Sequence, residues 1–306
     1  MVSPSLLTIG IEALTTLVFD VFQEKGKDLI DKVDVDLHLP TPNKEIEKYV
    51  YEYLKRHGQI KILNMRKPVS LEKIYTDIEL LSGSQDATGF ESTEELNEKF
   101  LRVGDLLSIN RDKYDRTPAL EFVQRESRLV ILGGPGAGKS TLLKKVGVEA
   151  WKQSKLDKKG KQLLPVFIDL KRFSRQQEIN INLKEEIIKE VRICGIKTNT
   201  EKIIQTFLDK GRLLILLDGL DELLQEKRIE AIDAIQNFSD EYYENSFLVS
   251  CRLAAYQSKR LGNFQDVEIA VFKESQIRET ILRWFSEQDE NIGNDCFQKI
   301  NLPKNS

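Results

Sequence analysis

The spacing of apolar residues along this chain changes once, near Arg128. Before that point they recur at helical intervals: Ile46, Val50, Tyr53 and Leu54 form one stripe, and Leu71, Ile74, Tyr75, Ile78 and Leu81 form another. Pro40 and Pro42 separate the first helix from the second, and Pro68 precedes the third. The pattern predicts an all-helical segment over residues 1–82. Its most apolar part, Leu6 to Phe22, is interrupted by Glu12 and Asp20 and lacks the basic flank and cleavage site of a signal peptide. It is too charged to span a bilayer. It reads as a buried amphipathic helix, with a partner- or membrane-surface helix as the alternative. Residues 82–89, Ser-Gly-Ser-Gln-Asp-Ala-Thr-Gly, have the composition of a linker. Ser92 and Glu95 then make a capping box for a connecting helix through Leu96, Phe100 and Leu101.

From Arg128 on, short continuous apolar runs alternate with helical stripes. The runs are Leu129–Leu132, Leu164–Leu170, Leu213–Leu217, Phe247–Ser250 and Val267–Phe272. Between them lie Leu142/Leu143/Val146/Ala150, Leu183/Ile187/Val191 and Ile229/Ile232/Ile235/Phe238. Strands that are apolar throughout belong to a sheet covered on both faces, and alternation with helices makes that sheet parallel. The expected fold class is therefore α/β, a parallel sheet with helices on both faces, preceded by a small all-helical domain.

The chemistry gathers at the ends of these strands. Gly133-Gly134-Pro135-Gly136-Ala137-Gly138-Lys139-Ser140-Thr141 fits G-x-x-x-x-G-K-[ST] between an apolar run and a helical stripe. Glycines let successive backbone N–H groups turn inward around phosphates, and the following helix aims its positive end at the same place. Lys139 would reach the β- and γ-phosphates of a nucleotide, and Ser140 would bind Mg²⁺. The run Leu213–Leu217 ends in Asp218-Gly219-Leu220-Asp221-Glu222. Ligands of open parallel sheets sit beyond the C-terminal strand ends, so Asp218 would face the loop and hold Mg²⁺. Asp221 or Glu222 would orient or deprotonate the attacking water, with Glu222 preferred. Arg252, after the run Phe247–Ser250, would point towards the γ-phosphate; the alternative is a surface arginine paired with a nearby acid.

Composition narrows the field. At 306 residues the chain has room for roughly two domains. Its 46 basic residues nearly balance 49 acidic ones, so bulk polyanion binding is not indicated. The basic clusters at Lys55-Arg56…Lys61…Arg66-Lys67 and Lys152…Lys161 have few interleaved aromatics and read as solvated faces rather than a nucleic-acid site. Three scattered cysteines and two histidines supply no structural zinc set and fit a reducing cytoplasm. The sequence Leu81-Ser82-Gly83-Ser84-Gln85 matches a transporter signature but precedes the phosphate loop instead of following it. An N-K-x-D guanine motif after a strand is absent, which favours adenine.

The segments GGPGAGKSTLL, LPVFIDLKRF, LLILLDGLDEL and FLVSCRLAAY, in this order, resemble the NACHT group of signal-transduction NTPases over about residues 110–287. Arg192-Ile193-Cys194-Gly195 and Trp284-Phe285 are most similar to bacterial, particularly cyanobacterial, members of this STAND-like class. The resemblance implies an NTPase core at 110–273, after a linker and connecting helix at 83–109, and the start of a further helical region at 274–306. It implies ATP/ADP and Mg²⁺ as ligands, slow hydrolysis, self-association on activation and a signalling role such as bacterial stress response or defence. The N-terminal module would engage an unidentified protein partner; nucleic acid and membrane are not expected ones. The winged-helix histidine that contacts ADP in the family has no counterpart before Ser306, so the expectation is a fragment, a truncated product, or a chain completed by a partner. The competing readings are a constitutively active P-loop ATPase or kinase and a nucleic-acid-associated motor.

Overall fold

The computed structural model describes residues 5, 8–9, 43–61, 68–82, 115–152, 162–175, 181–256, 259–285 and 290–301. The expectation for Leu6–Phe22, Thr8 and Ile9 apart, and those for the linker at 83–89 and the Ser92 capping box lie outside the described residues.

A seven-stranded sheet organises the chain. Five strands are parallel: β5 (Arg128–Leu132), β6 (Leu164–Asp169), β7 (Leu213–Asp218), β8 (Ser246–Cys251) and β9 (Gln265–Ile269). With β3 (Glu79–Ser82) and β4 (Asp115–Pro118) the order across the sheet is β4-β3-β9-β5-β8-β7-β6. Thus β8 lies between the strand that enters the phosphate loop and the strand that ends in Asp218. Residues Leu129–Ile131, Leu213–Leu217 and Phe247–Val249 are almost completely buried, as expected of strands covered on both faces. The connecting helices are α3 (Ala119–Arg125), α4 (Lys139–Lys152), α5 (Leu183–Cys194), α6 (Thr200–Asp209) and α7 (Gln225–Glu241); α8 (Glu274–Phe285) and α9 (Glu290–Asn301) follow the sheet. Local chemistry sets their limits. Asn182 caps α5 by accepting from the Glu185 N–H at 3.2 Å, and Gly195, at φ 129°, ends it in a conformation that favours glycine.

The all-helical expectation for residues up to 82 is corrected. Helix α1 (Asn43–His57) forms, but β1 (Gln59–Ile60) pairs with β2 (Val69–Ser70), the next helix, α2 (Leu71–Ile74), is a single turn, and β3 joins the main sheet. β3 runs antiparallel to both β4 and β9. The spacing from Leu71 to Ile78 satisfies a helix, but the backbone turns extended at Tyr75, residues 75–78 are not helical, and Leu80, fully buried, enters the sheet. Nor does the segment stand apart as a module. Tyr49, Val50, Tyr53 and Leu54 of α1 belong to the same apolar core as the parallel strands. Tyr49 donates to the Pro165 carbonyl of β6 at 3.0 Å, and its ring and that of Tyr53 meet Trp151 of α4 edge-on. On the other side, Thr280 and Arg283 of α8 bond to Thr76 and to the Tyr75 carbonyl. An apolar stripe that cannot be buried within one helix finds its partner on the NTPase core.

Candidate nucleotide site

The phosphate loop joins β5 to α4. Gly136 and Gly138 take φ values of 75° and 96°, open to glycine and strained for other residues. Gly138 is also crowded: a Cβ there would lie 3.2 Å from Ile78 Cδ1, so the segment before β3 closes one side of the loop. The Leu142 N–H donates to the Gly138 carbonyl at 2.8 Å, which starts α4 with its free N–H groups directed at the loop. Lys139 folds back and donates to the carbonyls of Gly133 and Gly134, each at 2.9 Å. Burial lowers its pKa, opposed by the negative charges of Asp221 and Asp218 and assisted by Arg252.

Asp218, at the end of β7, faces the first turn of α4. Its Oδ1 accepts from Ser140 Oγ at 3.0 Å and from Ser250 Oγ at 2.6 Å, and Ser250 Oγ in turn accepts the Gly219 N–H at 2.8 Å. Burial raises the Asp218 pKa, the two hydroxyl donors oppose this, and Asp169 at the end of β6 adds to the rise. A hydroxyl and a carboxylate side by side are hard oxygen donors of the kind Mg²⁺ takes. Among the described residues no group of three or more His, Cys, Asp or Glu is arranged to hold a metal. A Mg²⁺ ion here would therefore be held by Ser140 and Asp218, with the remaining oxygens from phosphate and water, which is how this ion is commonly bound.

The three remaining candidates separate into two pairs. Asp221 is nearly buried and uses both oxygens on Arg252: Oδ2 meets Nε at 2.9 Å, and Oδ1 accepts the backbone N–H at 3.0 Å. In this conformation Arg252 is the arginine paired with a nearby acid, and Asp221 fastens the turn after β7 to the turn after β8. Glu222 instead meets Lys171 of the turn after β6, with Nζ 2.6 Å from Oε2. Three contributors had escaped the motif reading. Ser250 was hidden inside an apolar run, although a small hydroxyl at a strand end is a usable signal. Lys171 lies in LPVFIDLKRF, where only the overall resemblance stood out. Ile78 comes from a segment read as helix.

A model of the NACHT domain matches residues 127–288, more than half of the chain. The chain belongs to the NACHT family. A search among curated proteins finds no match. The NACHT span begins one residue before β5 and takes in Lys139, Ser140, Lys171, Asp218, Asp221, Glu222, Ser250 and Arg252. It leaves out α1, β3 and β4, which are nevertheless built into the same sheet and core. Membership of the NACHT family carries nucleotide binding and a signalling-type P-loop NTPase function. Among the described residues no helix is long and apolar enough to cross a membrane.

Proposed function

We propose that this NACHT chain is an ATP-dependent cytoplasmic signalling switch that hydrolyses its nucleotide slowly. The observation that carries the reading is the contact of Ser140 with Asp218, backed by Ser250, at the mouth of a glycine loop that opens a helix. In this reading Lys139 and the loop N–H groups hold the phosphates. Mg²⁺, when bound to Ser140 and Asp218, offsets phosphate charge. Glu222 accepts the proton of the attacking water, Arg252 exchanges Asp221 for the γ-phosphate, and ATP changes the self-association of the chain. An output partner engaged through the N-terminal segment, in bacterial stress or defence signalling, completes the proposal. Arg56, part of a basic cluster that could suggest nucleic acid, is tied to Glu190 at 2.8 Å, which supports a structural role for that arginine.

The test is nucleotide binding by calorimetry with and without Mg²⁺, followed by steady-state turnover on the full chain. ATP binding strengthened by Mg²⁺, with turnover near or below roughly one per minute, the scale of unassisted switch NTPases, supports the switch. Sustained turnover far above that replaces it with a working ATPase, and no nucleotide binding overturns the site.

A further inference from the structure

Lys171 sits on an unusually well-fixed turn for a residue without an assigned task. The turn Leu170–Arg175 buries Leu170 and Phe173 completely or nearly so. Its Arg172 pairs with Glu186 and Glu190 of α5, and Glu190 also receives Arg56 of α1. The Lys171 N–H donates to Asp169 Oδ1 at 3.0 Å, its carbonyl accepts Ser174 Oγ at 2.7 Å, and Lys227 of α7 reaches the Ser174 carbonyl at 3.2 Å. The backbone beneath Lys171 is therefore tied to β6, α5 and α7. The opposite end rests on the turn after β7. The Glu222 N–H donates to the Gly219 carbonyl at 3.0 Å, and its side chain lies so close over Gly219 that a Cβ there would be 3.5 Å from Oε1. One carboxylate oxygen is thus turned to Gly219, and the other is engaged by the ammonium at 2.6 Å.

We infer that Lys171 is a positioning residue that brakes hydrolysis by holding Glu222 in a resting pose. The inference rests on Glu222 being the base of the proposed reaction. In that reaction the water oxygen bonds to the γ-phosphorus, the bond from phosphorus to the bridging oxygen breaks with its electron pair leaving on ADP, and the water proton passes to the Glu222 carboxylate. While Lys171 holds Oε2 towards the turn after β6, the carboxylate is kept from turning to the water, and opening the ion pair frees it. Its side chains are 63% and 37% exposed, so the hold is of the modest kind that water and salt weaken.

The experiment compares the full-length wild type with Lys171→Met, Lys171→Arg, Glu222→Gln and the Lys171→Met/Glu222→Gln pair at saturating ATP. Lys171→Met should raise kcat about two- to fivefold, the range an exposed ion pair supports, with KM for ATP unchanged. Lys171→Arg should keep the slow rate. Added NaCl should speed the wild type towards the Lys171→Met rate and leave that variant flat. The double variant should fall to the Glu222→Gln rate. If Glu222→Gln is slow while Lys171→Met is unchanged or slower, the brake is overturned and the base assignment stands. A gain that persists in the double variant also overturns the brake, because the lysine then acts elsewhere. If Glu222→Gln hydrolyses at the full rate, the base assignment falls and the brake with it.

Discussion

Gly147, in the middle of α4, is where α1 docks. In an isolated helix Gly→Ala is stabilising by about 1 kcal/mol, because alanine has less backbone freedom to lose. Here a Cβ at 147 would overlap the Tyr53 hydroxyl of α1 and come within 2.9 Å of Leu216 Cδ1 on β7. Overfilling a packed core costs about 1–3 kcal/mol. Gly147→Ala should therefore destabilise by up to about 2 kcal/mol net, reversing the sign expected from propensity. The hydroxyl itself is a second lever. Among the described residues it is buried without a hydrogen-bond partner, and such a group costs about 1–3 kcal/mol. Tyr53→Phe should thus be neutral or stabilising, and in that background Gly147→Ala should lose most of its penalty. The predicted coupling in the double-mutant cycle is about 1 kcal/mol or more. Urea unfolding followed by tryptophan emission suits the question, since Trp151 touches the Tyr53 ring edge-on at 5.6 Å. If Gly147→Ala is as stable as wild type, or more so, with zero coupling to position 53, α1 does not rest on α4 as described.

Other outcomes follow from the same geometry. Lys139→Ala should abolish ATP binding by calorimetry while leaving the circular dichroism spectrum and urea midpoint close to wild type; retained affinity would contradict the phosphate-loop assignment. Ser250→Ala removes one hydroxyl from Asp218 and the acceptor of the Gly219 N–H, so it should weaken the Mg²⁺ dependence of nucleotide binding more than binding itself. Asn245→Ala strands the buried Leu213 N–H and takes one donor each from the Leu208 and Tyr242 carbonyls, which keep the N–H groups of Gly211 and of residue 245, and should cost about 1–3 kcal/mol in denaturant unfolding. His57 is packed between Tyr53 and Phe167, and burial, with Arg56 and Lys144 nearby, lowers its pKa from 6.5 to about 3. Between those values the unfolded chain binds a proton that the folded chain refuses, so stability is lost as pH falls below 6.5. Relative to a His57→Phe variant the wild type should lose about 2 kcal/mol between pH 7 and 5, and parallel pH profiles of the two would refute this.

The parts of the fold that were legible in the sequence are those whose signal is local. The phosphate loop reads directly because backbone conformation dictates glycine at Gly136 and Gly138, and backbone preference is written residue by residue. The strands β5, β6, β7 and β8 read almost to the residue because strands buried on both faces must be apolar throughout. β4 carries no such signal: Asp115-Arg116-Thr117-Pro118 is a polar edge strand, defined by its pairing with β3 and not by its own composition. β3 was misread because Leu71, Ile74, Tyr75 and Ile78 satisfy a helical period by coincidence over one short stretch, where period alone does not separate the two states. Helix α6 carries only a short signal: Ile203, Ile204 and Phe207 sit at helical spacing over little more than one turn.

The site follows the same division. Lys139, Ser140 and Asp218 were legible because each occupies a fixed offset in a motif. Asp221, Glu222 and Arg252 stand out as candidates from the strand ends, yet their partners were not foreseeable, because ion pairs between turns after different strands depend on strand order. With β6 beside β7, the turn after β6 can reach Glu222; with β8 on the other side, the turn after β8 reaches Asp221. Strand order therefore gives the two adjacent acids different environments. Asp221 holds both the side chain and the backbone N–H of Arg252, and so keeps its tie to the turn after β8 when the guanidinium leaves, whereas Glu222 has one exposed side-chain partner. The segment outside the NACHT match bears on the same contact. Arg56 of α1 and Arg172 converge on the carboxylate of Glu190, and Arg172 is the residue after Lys171. A change in how α1 sits on α4 and α5 would be felt at Arg172 through Glu190, which makes the turn after β6 a covalent and ionic path from α1 to the proposed base.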